Sequence, residues 1–473
     1  MKHWILICLL WVPIGLGAQT YDLVIANGRV LDPETELDAV RHLGISGGVI
    51  RAISATPLQG RQVIDAKGLV VAPGFIDLHQ HGQTLADYHF KAMDGVTSAL
   101  ELEVGAADVD LWYRVREGKS PIHFGVSVGH IPARMSVLGD RPTFLPGAAS
   151  KAAREPATPE QVAQIRAKLE EGLQRGAIAV GFGLQYTPQA SHWEVLECFA
   201  AAAKFKASCH VHVRNKGDRG TQNIFSALEE VVAASAITGA PGHIVHIQAS
   251  GMRSTPRLLE LITQARKNGA DITCEVYPYT AGMTDISSAI FDPGWMERDG
   301  MDYKDLQWGA TGERLTQATF ERFRKTGGLV IAHSNPEPLV RQALIHPLTM
   351  IASDGLPGHP RNAGTYARML GVYVRENKDL PLMLALKKCS LMPAQRLEAR
   401  VPAMKNKGRI KVGADADLVL FDADKVRDQS TYADAARFST GIRYTLVNGV
   451  AVVKEGQLQK DAMAGRAVRA PVR

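Results

Sequence analysis

The sequence is poor in cysteine and has no block of like charge. It contains five cysteines in 473 residues and no CxxC pair, so in a chain of this size we expect buried free thiols. The net charge of +6 is spread along the chain without a Lys/Arg run or an interleaved aromatic stripe, which argues against a nucleic-acid partner. The hydrophobic content of 45% is that of an ordinary soluble globular protein. The length suits one large barrel with a smaller domain, or a few separate domains.

The first 18 residues, MKHWILICLLWVPIGLGA, have the organisation of a secretory signal. Lys2 supplies a basic start, residues 4–12 form an apolar core, and small residues up to Ala18 suit cleavage before Gln19. The apolar run is too short to span a bilayer comfortably, and no later segment has the composition of a transmembrane helix. We therefore expect a signal peptide over residues 1–18 and a secreted or periplasmic protein without other membrane contact, with an uncleaved anchor as the alternative.

Short runs of alternating apolar and polar residues occur at both ends of the chain. Residues 21–72 contain several such runs separated by Asn-Gly and Gly-Gly pairs, and residues 408–457 have the same pattern. Because the two ends of a domain are often close in space, we expect residues 19–72 and 405–465 to build one small β-sandwich domain together.

The middle of the chain has a different pattern, in which apolar strand-like runs alternate with helical stretches. A first run ends near residue 79. The seven runs that follow it are VTSALELE (96–103), IHFGVSVG (122–129), AIAVGF (177–182), CHVHV (209–213), HIVHI (243–247), ITCEVY (272–277) and TMIASD (349–354). The alternation indicates parallel strands joined by crossover helices. Eight strands predict an α/β fold of the (β/α)8 TIM-barrel type over residues 73–404, with an insertion at about 278–348.

Histidines and carboxylates recur where these strands end. Functional groups of such barrels lie at the C-terminal ends of the strands. The residues found there are His79, His81, Glu101, Glu103, His210, His212, His246 and Asp354. Side chains two apart on a strand share a face, so the His-x-His pair of the first strand is suited to holding a metal ion. The set predicts a zinc site, with ordinary histidines of a barrel core as the alternative.

These residue types fit one kind of chemistry. An open position on zinc binds water and lowers its pKa to about 7, so that the resulting hydroxide can attack a carbonyl group that the metal polarises. A nearby carboxylate can take the proton of the water and pass it to a leaving nitrogen. Asp354 is our candidate for this general base and acid, since it can reach both metal and water.

Several motifs resemble those of a known family. The segments PGFIDLHQH and IASDG, with the eight-strand pattern, resemble the amidohydrolase superfamily. More specifically, HVRNKG (212–217), EVYPYTAGMT (275–284) and DGLPGHPRNAGTYARMLG (354–371) are similar to the N-acyl-D-amino-acid deacylases, or D-aminoacylases. The resemblance covers nearly the whole chain after the signal. It implies metal ligands at His79, His81, His212, His246 and Asp354.

Two positions of this metal set need a choice between neighbours. The family reads His-x-Arg in the fifth strand, which matches His212 and Arg214 and leaves His210 a packing role. D-aminoacylase relatives carry a cysteine ligand near the end of the second strand, where this chain has LELEVG. A carboxylate can also bridge two metals, so we assign Glu103 as the ligand and keep Glu101 in reserve.

The resemblance also implies residues that bind substrate. Arg361 and Tyr277 match positions that hold the carboxylate of the substrate, and an arginine can grip it through two parallel hydrogen bonds. Gln248 stands where the family usually has a lysine for the same group, and Met283 stands where relatives often have serine, so the preferred amino acid is open. Tyr186, after the fourth strand, is a candidate for the wall of the acyl pocket.

Other polar residues lie near the expected rim of the barrel. His130 and Arg134 follow the third strand and are further candidates for substrate contact. We expect His243, near the other end of its strand, and His333, at the end of the run GLVIAHS, to be structural.

The predicted function is a secreted zinc hydrolase, with one or two ions, that cleaves the amide bond of small N-acyl-D-amino acids, for example N-acyl-D-glutamate. The preference for the D isomer comes from the resemblance alone. A cyclic amidase or a dipeptidase of the same superfamily is the first alternative, but such relatives commonly use a carboxylated lysine on the fourth strand, and AIAVGF has none. An inactive binding protein on the same scaffold is the second alternative, and the intact set of histidines and aspartate argues against it.

Overall fold

The computed structural model describes residues 20–147 and 149–473, so the predicted signal peptide lies outside the described residues. Strands are numbered in chain order: β1 Thr20–Asp32, β2 Leu37–Ser46, β3 Val49–Ser54, β4 Gln59–Asp65, β5 Val70–Pro73, β6 Phe75–Asp77, β7 Val96–Ala106, β8 His123–Gly129, β9 Ala179–Gly183, β10 Ser208–His212, β11 Gly242–Ile244, β12 Ile272–Val276, β13 Gly282–Asp285, β14 Leu306–Trp308, β15 Leu329–Ala332, β16 Thr349–Ile351, β17 Leu418–Phe421, β18 Ile442–Val447, β19 Val450–Lys454 and β20 Gln457–Leu458.

The α-helices are numbered in the same way: α1 Leu85–Met93, α2 Val109–Arg114, α3 His130–Leu138, α4 Lys151–Arg154, α5 Pro159–Gln174, α6 His192–Lys204, α7 Ile224–Thr238, α8 Ile247–Gly251, α9 Thr255–Lys267, α10 Trp295–Asp299, α11 Gln317–Thr326, α12 Glu337–Ile345, α13 Arg361–Arg368, α14 Leu382–Leu386 and α15 Met392–Leu397. Among the helices that the described residues form, none combines the length and apolar character needed to traverse a bilayer.

The two ends of the chain meet in one nine-stranded sheet. Its order is β20-β19-β18-β17-β5-β1-β2-β3, with β4 paired to β1. The two chain ends join where β5 and β17 run antiparallel, with Val71 opposite Leu420. The apolar residues of β1, β2, β5, β17 and β18 form a common core that includes Ile25, Leu43 and Leu446. The predicted β domain built from both ends is therefore present.

Eight parallel strands form the second sheet, in the order β6 to β12 followed by β16. The first and eighth strands meet beyond their ends, where the backbone N–H of His81 donates to the carbonyl of Gly355 at 3.0 Å and that of Gly355 donates to the carbonyl of His79 at 3.3 Å. Strands such as β9 are buried on both faces, as parallel barrel strands are. The predicted (β/α)8 barrel is confirmed.

The crossover helices have clear sequence signals at their ends. α5 begins with a capping box, in which Thr158 and Gln161 satisfy each other's backbone N–H groups, and with Pro159 in its first turn. α7 ends at Gly239 in the left-handed conformation, which glycine adopts without steric cost. The four described cysteines are buried and unpaired, as expected.

Two features close the lower end of the barrel, where the strands begin. Residues 465–470 run along it, and the backbone N–H of Val468 donates to the carbonyl of Phe124 at 2.8 Å. Beside this segment, Asp417 of the β domain contacts Nε2 of His123 at 3.1 Å and Nζ of Lys407 at 2.5 Å. The barrel and the β domain are thus joined through a buried group of charges.

The chain between β12 and β16 forms an insertion at the upper end of the barrel. Its three strands pair in the order β13-β15-β14, and β15 corresponds to the additional strand-like run of the sequence. An apolar cluster that includes Trp295, Leu306, Phe320 and Val330 gives the insertion its own core. A unit with its own core is suited to hold a fixed position over the site.

Candidate metal centre

The segment that carries the first two histidines is anchored by Asp77, the last residue of β6. Its Oδ1 accepts the backbone N–H of His79 at 3.2 Å and that of Ser353 at 2.9 Å, so it ties the first strand to the eighth. The ammonium group of Lys91 lies 3.0 Å from Oδ2 and balances the buried charge. This anchor brings the His-x-His pair next to Asp354.

Each histidine of the pair is held from behind by a carboxylate. Nδ1 of His79 lies 2.5 Å from Oε1 of Glu275, and Nδ1 of His81 lies 2.6 Å from Oε2 of Glu101. Both Nδ1 atoms are therefore occupied, and the two Nε2 atoms face each other at 3.0 Å. A histidine whose rear nitrogen donates to a carboxylate, with the other nitrogen presented forward, is the usual arrangement of a metal ligand.

Glu103 lies at the centre of the group. Its Oε2 is 2.5 Å from Nε2 of His79 and 3.1 Å from Nε2 of His81, while its Oε1 is 2.8 Å from Nδ1 of His212. The ligand atoms fall into two sets that share Glu103 and in which all atoms lie within 4.8 Å of one another: His79, His81, Glu103 and Asp354 in the first ligand set, and Glu103, His212 and His246 in the second. Glu103 is placed to bridge two ions, whereas Glu101 lies behind His81.

The second ligand set is oriented by neutral groups. Nε2 of His212 lies 2.8 Å from Oε1 of Gln185, which leaves Nδ1 toward Glu103. Nδ1 of His246 lies 3.4 Å from the hydroxyl of Ser250, so Nε2 is the nitrogen available to an ion. Burial, reinforced by the nearby His212, lowers the pKa of His246 to about 3. His246 is therefore neutral, as a metal-binding imidazole must be.

The carboxylates dominate the electrostatics of the first ligand set. Burial alone would lower the pKa of His79, but Asp354, Glu103 and Glu275 raise it to about 10. Burial would raise the pKa of Asp354, but Arg361 and His79 lower it to about 2. Ionised carboxylates gathered in a buried site create a strong local preference for cations.

Backbone strain marks two of the ligands. Asp354 has φ +50° and His246 has φ +31°, a region that non-glycine residues seldom occupy. His246 lies two residues after β11 and Asp354 three residues after β16, where the chain turns away from the sheet. Strain of this kind is concentrated at functional sites and is tolerated because the surrounding structure fixes it.

The donor set fits a divalent metal. It offers imidazole nitrogens and carboxylate oxygens on side chains that are all at least nine-tenths buried. This combination is typical of zinc and similar first-row ions. One carboxylate oxygen of Glu103 contacts the histidines of the first ligand set and the other contacts His212 of the second, so the donor atoms of each set lie close together. The residues therefore fit one ion or two ions that share Glu103.

A cavity opens from the ligands toward the insertion. His81, Glu103, His212, His246 and Asp354 form part of its wall. Most of the remaining wall is apolar: Val104 comes from β7, Phe144 and Leu145 come from the loop after α3, and Ile290, Phe291 and Leu329 come from the insertion. A largely apolar cleft with a few convergent polar groups is the usual form of a small-molecule site.

Two of the predicted substrate-binding residues line this cavity. The hydroxyl of Tyr277 accepts a hydrogen bond from Nδ2 of Asn335 at 3.2 Å and retains its own proton for a ligand. Tyr186 packs edge-on against His212, with its hydroxyl 2.9 Å from that of Thr284. Both tyrosines therefore lie where the prediction placed them, on the wall beside the ligands.

The other two predicted substrate-binding residues, Arg361 and Gln248, lie behind the cavity wall. Arg361 is fully buried, with Nη1 2.8 Å from Oδ2 of Asp354 and its guanidinium 4.8 Å from the centre of the Tyr277 ring. Gln248 is 1% exposed and its Nε2 donates to the backbone carbonyl of Tyr277 at 3.4 Å. Direct contact with substrate, which we expected of both, is thus not what the structure presents, because each is already directed onto a residue of the site.

His130 and Arg134 are also displaced from their expected role. Both are completely buried and bind the two carboxylate oxygens of Glu194 on α6, with Nε2 of His130 at 2.7 Å. The physical reason is that α3 begins at His130, so the helix turns these side chains outward to α6 rather than toward the rim. They join two helices, and the expectation of substrate contact was wrong.

Sequence reasoning missed three residues around the site. Glu275 bridges His79 and His243, with its Oε2 2.9 Å from Nε2 of His243. The signal was available, because Glu275 lies on β12 two residues before Tyr277, and residues two apart along an extended chain share a face. Gln185 and Lys216 lie in loops, where no periodicity indicates which way a side chain points.

The nearly closed (β/α)8 barrel with two metal-ligand sets at its upper end points to the class of metal-dependent hydrolases. The sequence model of the amidohydrolase family matches residues 62–127 and 148–453. The chain belongs to the amidohydrolase family.

Comparison with individual relatives shows which members of the family the chain resembles. The N-acyl-D-glutamate deacylase of Alcaligenes xylosoxydans xylosoxydans is 31% identical over 91% of this chain and 93% of its own length. A solved N-acyl-D-glutamate deacylase from Bordetella bronchiseptica, in complex with zinc and a phosphonate that mimics the tetrahedral intermediate, has a TM-score of 0.81 and 26% identity, and covers 96% of this chain and 100% of the other. A D-aminoacylase with a binuclear metal centre has a TM-score of 0.79 and 25% identity, with 95% and 100% covered. The resemblance to the D-aminoacylases is confirmed.

Proposed function

We propose that the protein is a zinc-dependent deacylase that hydrolyses the amide bond of N-acyl-D-amino acids to a carboxylate and a free D-amino acid. The observation that carries the proposal is the pair of ligand sets joined by Glu103, with Asp354 facing the histidine pair at the base of a largely apolar cavity. The proposal is supported by relatives that are N-acyl-D-glutamate deacylases and D-aminoacylases, one of them with zinc bound.

The metal would be held by residues already in contact. His79, His81 and Asp354 would hold one ion, His212 and His246 a second, and Glu103 would be shared. When bound, zinc lowers the pKa of water and polarises a carbonyl oxygen. Glu275 and Glu101 would keep the histidine pair in the tautomer that presents Nε2.

Asp354 is placed to move the proton. Its Oδ2 is fixed by Arg361 at 2.8 Å, and its Oδ1 lies 3.4 Å from Nε2 of His81 and 3.5 Å from Nε2 of His79. Oδ1 is therefore the atom that accepts a proton from the attacking water and returns it to the leaving nitrogen. Arg361 acts as a positioning residue, because it holds the carboxylate in this orientation.

The cavity wall orients the substrate. The hydroxyl of Tyr277 can donate to a substrate oxygen, since Asn335 already supplies a proton to it. The apolar residues of the insertion exclude water around the amide, which strengthens polar interactions inside the site. These contributions come from the chain itself and fix where the scissile bond lies.

We also propose that the protein is exported and acts as a secreted or periplasmic enzyme. The support is the sequence of residues 1–18, with its basic start, apolar core and small residues before the expected cleavage position. Sequencing the N-terminus of the protein recovered from the periplasm or medium tests this directly. A mature chain that begins at Gln19 is expected, and a full-length chain confined to the cytoplasm would contradict it.

The test of the enzymatic proposal is a metal analysis combined with a substrate screen. Purified protein is assayed with N-acetyl-D-amino acids, the L isomers, hydantoins and dipeptides, and its metal content is measured by mass spectrometry. We expect bound zinc and hydrolysis of the D isomers. Hydrolysis of only L isomers or of hydantoins would refute the substrate, and a metal-free protein that zinc does not activate would indicate a binding protein.

A further inference from the structure

The cavity contains one cationic side chain that does not belong to the ligand sets. Among the described residues that line it, Lys216 is the single lysine or arginine. It follows β10 by four residues, in the loop that leads away from His212, and it is partly buried. A positive charge at this position is a feature of the site that neither the ligand sets nor Asp354 explains.

Lys216 has no carboxylate partner in the part of the chain that the structure describes. Its Nζ donates to the hydroxyl of Ser334 at 3.2 Å. Asp299 also lines the cavity, but it forms an ion pair with Arg298. Nε and Nη2 of Arg298 contact the two carboxylate oxygens at 2.9 and 3.2 Å. Burial lowers the pKa of Lys216 and the charge of Arg298 adds to this, while the charge of Asp299 offsets only part of the shift, so a net cost of the positive charge remains. An anion in the cavity would relieve this cost.

Among the described residues, the rest of the cavity wall has no second cationic side chain that could pair with another anion. Arg361 is directed onto Asp354, and Gln248, which stands where relatives have a lysine, carries no charge. Met283 and Leu329 line the wall together with the apolar residues named above. A carboxylate buried against such a surface without a partner loses its hydration and gains nothing in return.

We infer that Lys216 binds the one carboxylate of the substrate, and that the cavity therefore selects monoanionic N-acyl amino acids with apolar side chains over dicarboxylic ones. The inference rests on the proposed function and makes it more specific. It makes leucine-like or aromatic amino acids better substrates than glutamate or aspartate.

Steady-state kinetics test the inference with three substrates: N-acetyl-D-leucine, N-acetyl-D-glutamate and N-acetyl-D-leucinamide. We expect the wild type to show a kcat/KM for the leucine compound about tenfold or more above that for the glutamate compound. In Lys216→Met, KM for N-acetyl-D-leucine rises about 10- to 100-fold with little change in kcat, as expected for loss of a charge-assisted hydrogen bond, while the neutral amide is unaffected. Lys216→Arg restores part of the affinity.

Lys267→Met, at an exposed position on α9, is the matched control and should behave as wild type. Equal losses on the carboxylate and the amide in Lys216→Met would overturn the inference, since they indicate a damaged site rather than a lost anion contact. A wild-type preference for N-acetyl-D-glutamate would overturn it as well. Unchanged metal content and circular dichroism establish that the variant is folded.

A binding measurement separates failure of this inference from failure of the proposed function. N-methanesulfonyl-D-leucine carries the same carboxylate and a sulfonamide in place of the amide, and its affinity is measured by calorimetry. If the wild type hydrolyses no N-acyl-D-amino acid, the proposed function fails; Lys216 is still supported if Lys216→Met binds this probe at least about tenfold more weakly. Equal binding by both proteins, or no binding by the wild type, overturns the inference.

Discussion

Oε1 of Glu275 lies 2.5 Å from Nδ1 of His79, at the floor of the metal centre. The other oxygen of Glu275 contacts Nε2 of His243, whose Nδ1 lies 2.8 Å from the hydroxyl of Thr273. A chain of polar side chains thus runs from the first metal ligand down through the interior of the barrel. It explains why His243, expected to be structural, is buried there, and it leaves Nε2 of His79 as the nitrogen that would bind an ion.

Glu275→Gln should weaken metal binding. The amide can donate to Nδ1 of His79 as readily as accept from it, so the correct tautomer is no longer enforced. Loss of such a supporting carboxylate typically costs about 10- to 100-fold in metal affinity. Competition with a chelator followed by metal analysis measures the change. Glu260→Gln, at an exposed position on α9, is the control, and retention of wild-type affinity by Glu275→Gln would contradict the role.

Glu103→Gln and Glu101→Gln should differ in metal stoichiometry. Glu103 touches both ligand sets, so its loss removes the shared ligand and should leave at most one ion per chain. Glu101 contacts His81 from behind, so its replacement should lower affinity without removing a binding position. Metal content after dialysis distinguishes the two. A Glu103→Gln protein that retains as many ions as wild type would show that Glu103 is not the shared ligand.

Asp354→Asn should nearly abolish turnover. The amide cannot take up the proton of the attacking water, and general acid–base catalysis typically contributes about 10²- to 10⁴-fold. A fall in kcat of this size is expected under saturating substrate with excess zinc, which compensates for weakened binding at this ligand. Wild-type kcat in the metal-loaded variant would rule out the assigned role.

Lys407→Met should destabilise the junction between the barrel and the β domain. Lys407 lies between Asp417 and Asp415, and removing it leaves Asp417 buried with less compensation. Breaking a buried pair on one side costs about 3–5 kcal/mol of the free energy of unfolding. Chemical denaturation measures the loss. Lys411→Met, which removes an exposed pair with Glu34, should cost about 1 kcal/mol or less and serves as the control.

The loss of unfolding free energy in Lys407→Met should depend on pH. Burial would raise the pKa of Asp417, but His123 and Lys407 together hold it far below the ordinary value of 3.8. An acid whose pKa is depressed by folding contributes its stability above the unfolded pKa and loses it as the pH falls. The difference between wild type and Lys407→Met should therefore be largest near neutral pH and shrink below about pH 4. A difference that grows on acidification would contradict this account.

The sequence predicted the parts of the site that depend on strand periodicity. The alternation of side chains and the rule that barrel sites lie at strand ends bring the pairs His79/His81, Glu101/Glu103 and His210/His212 to the site, and the resemblance to the D-aminoacylases selects Glu103 and His212 within their pairs. Glu275 obeys the same rule, but only Tyr277 was assigned a role from that segment of the sequence.

Residues beyond the strand ends were harder to place. The backbone of His130 is already helical, so strand alternation does not apply to its side chain or to that of Arg134. Arg361 begins a helix too, and the ion pair with Asp354 that turns it away from the cavity joins positions on either side of a loop. Lys216 lies in a loop, where direction is decided by contacts with the insertion that no local pattern encodes.

The position of residues 465–470 along the lower end of the barrel affects when the barrel can finish folding during synthesis. Val468 and Ala470 share a cluster with Ile76 and Leu100, residues synthesised more than 350 positions earlier. During translation the first barrel strands leave the ribosome without the segment that seals them, and β5 likewise waits for β17 before its edge is covered. The chain thus remains open at both places until synthesis is nearly finished, as the proposed export would require if the chain crosses a membrane before it closes.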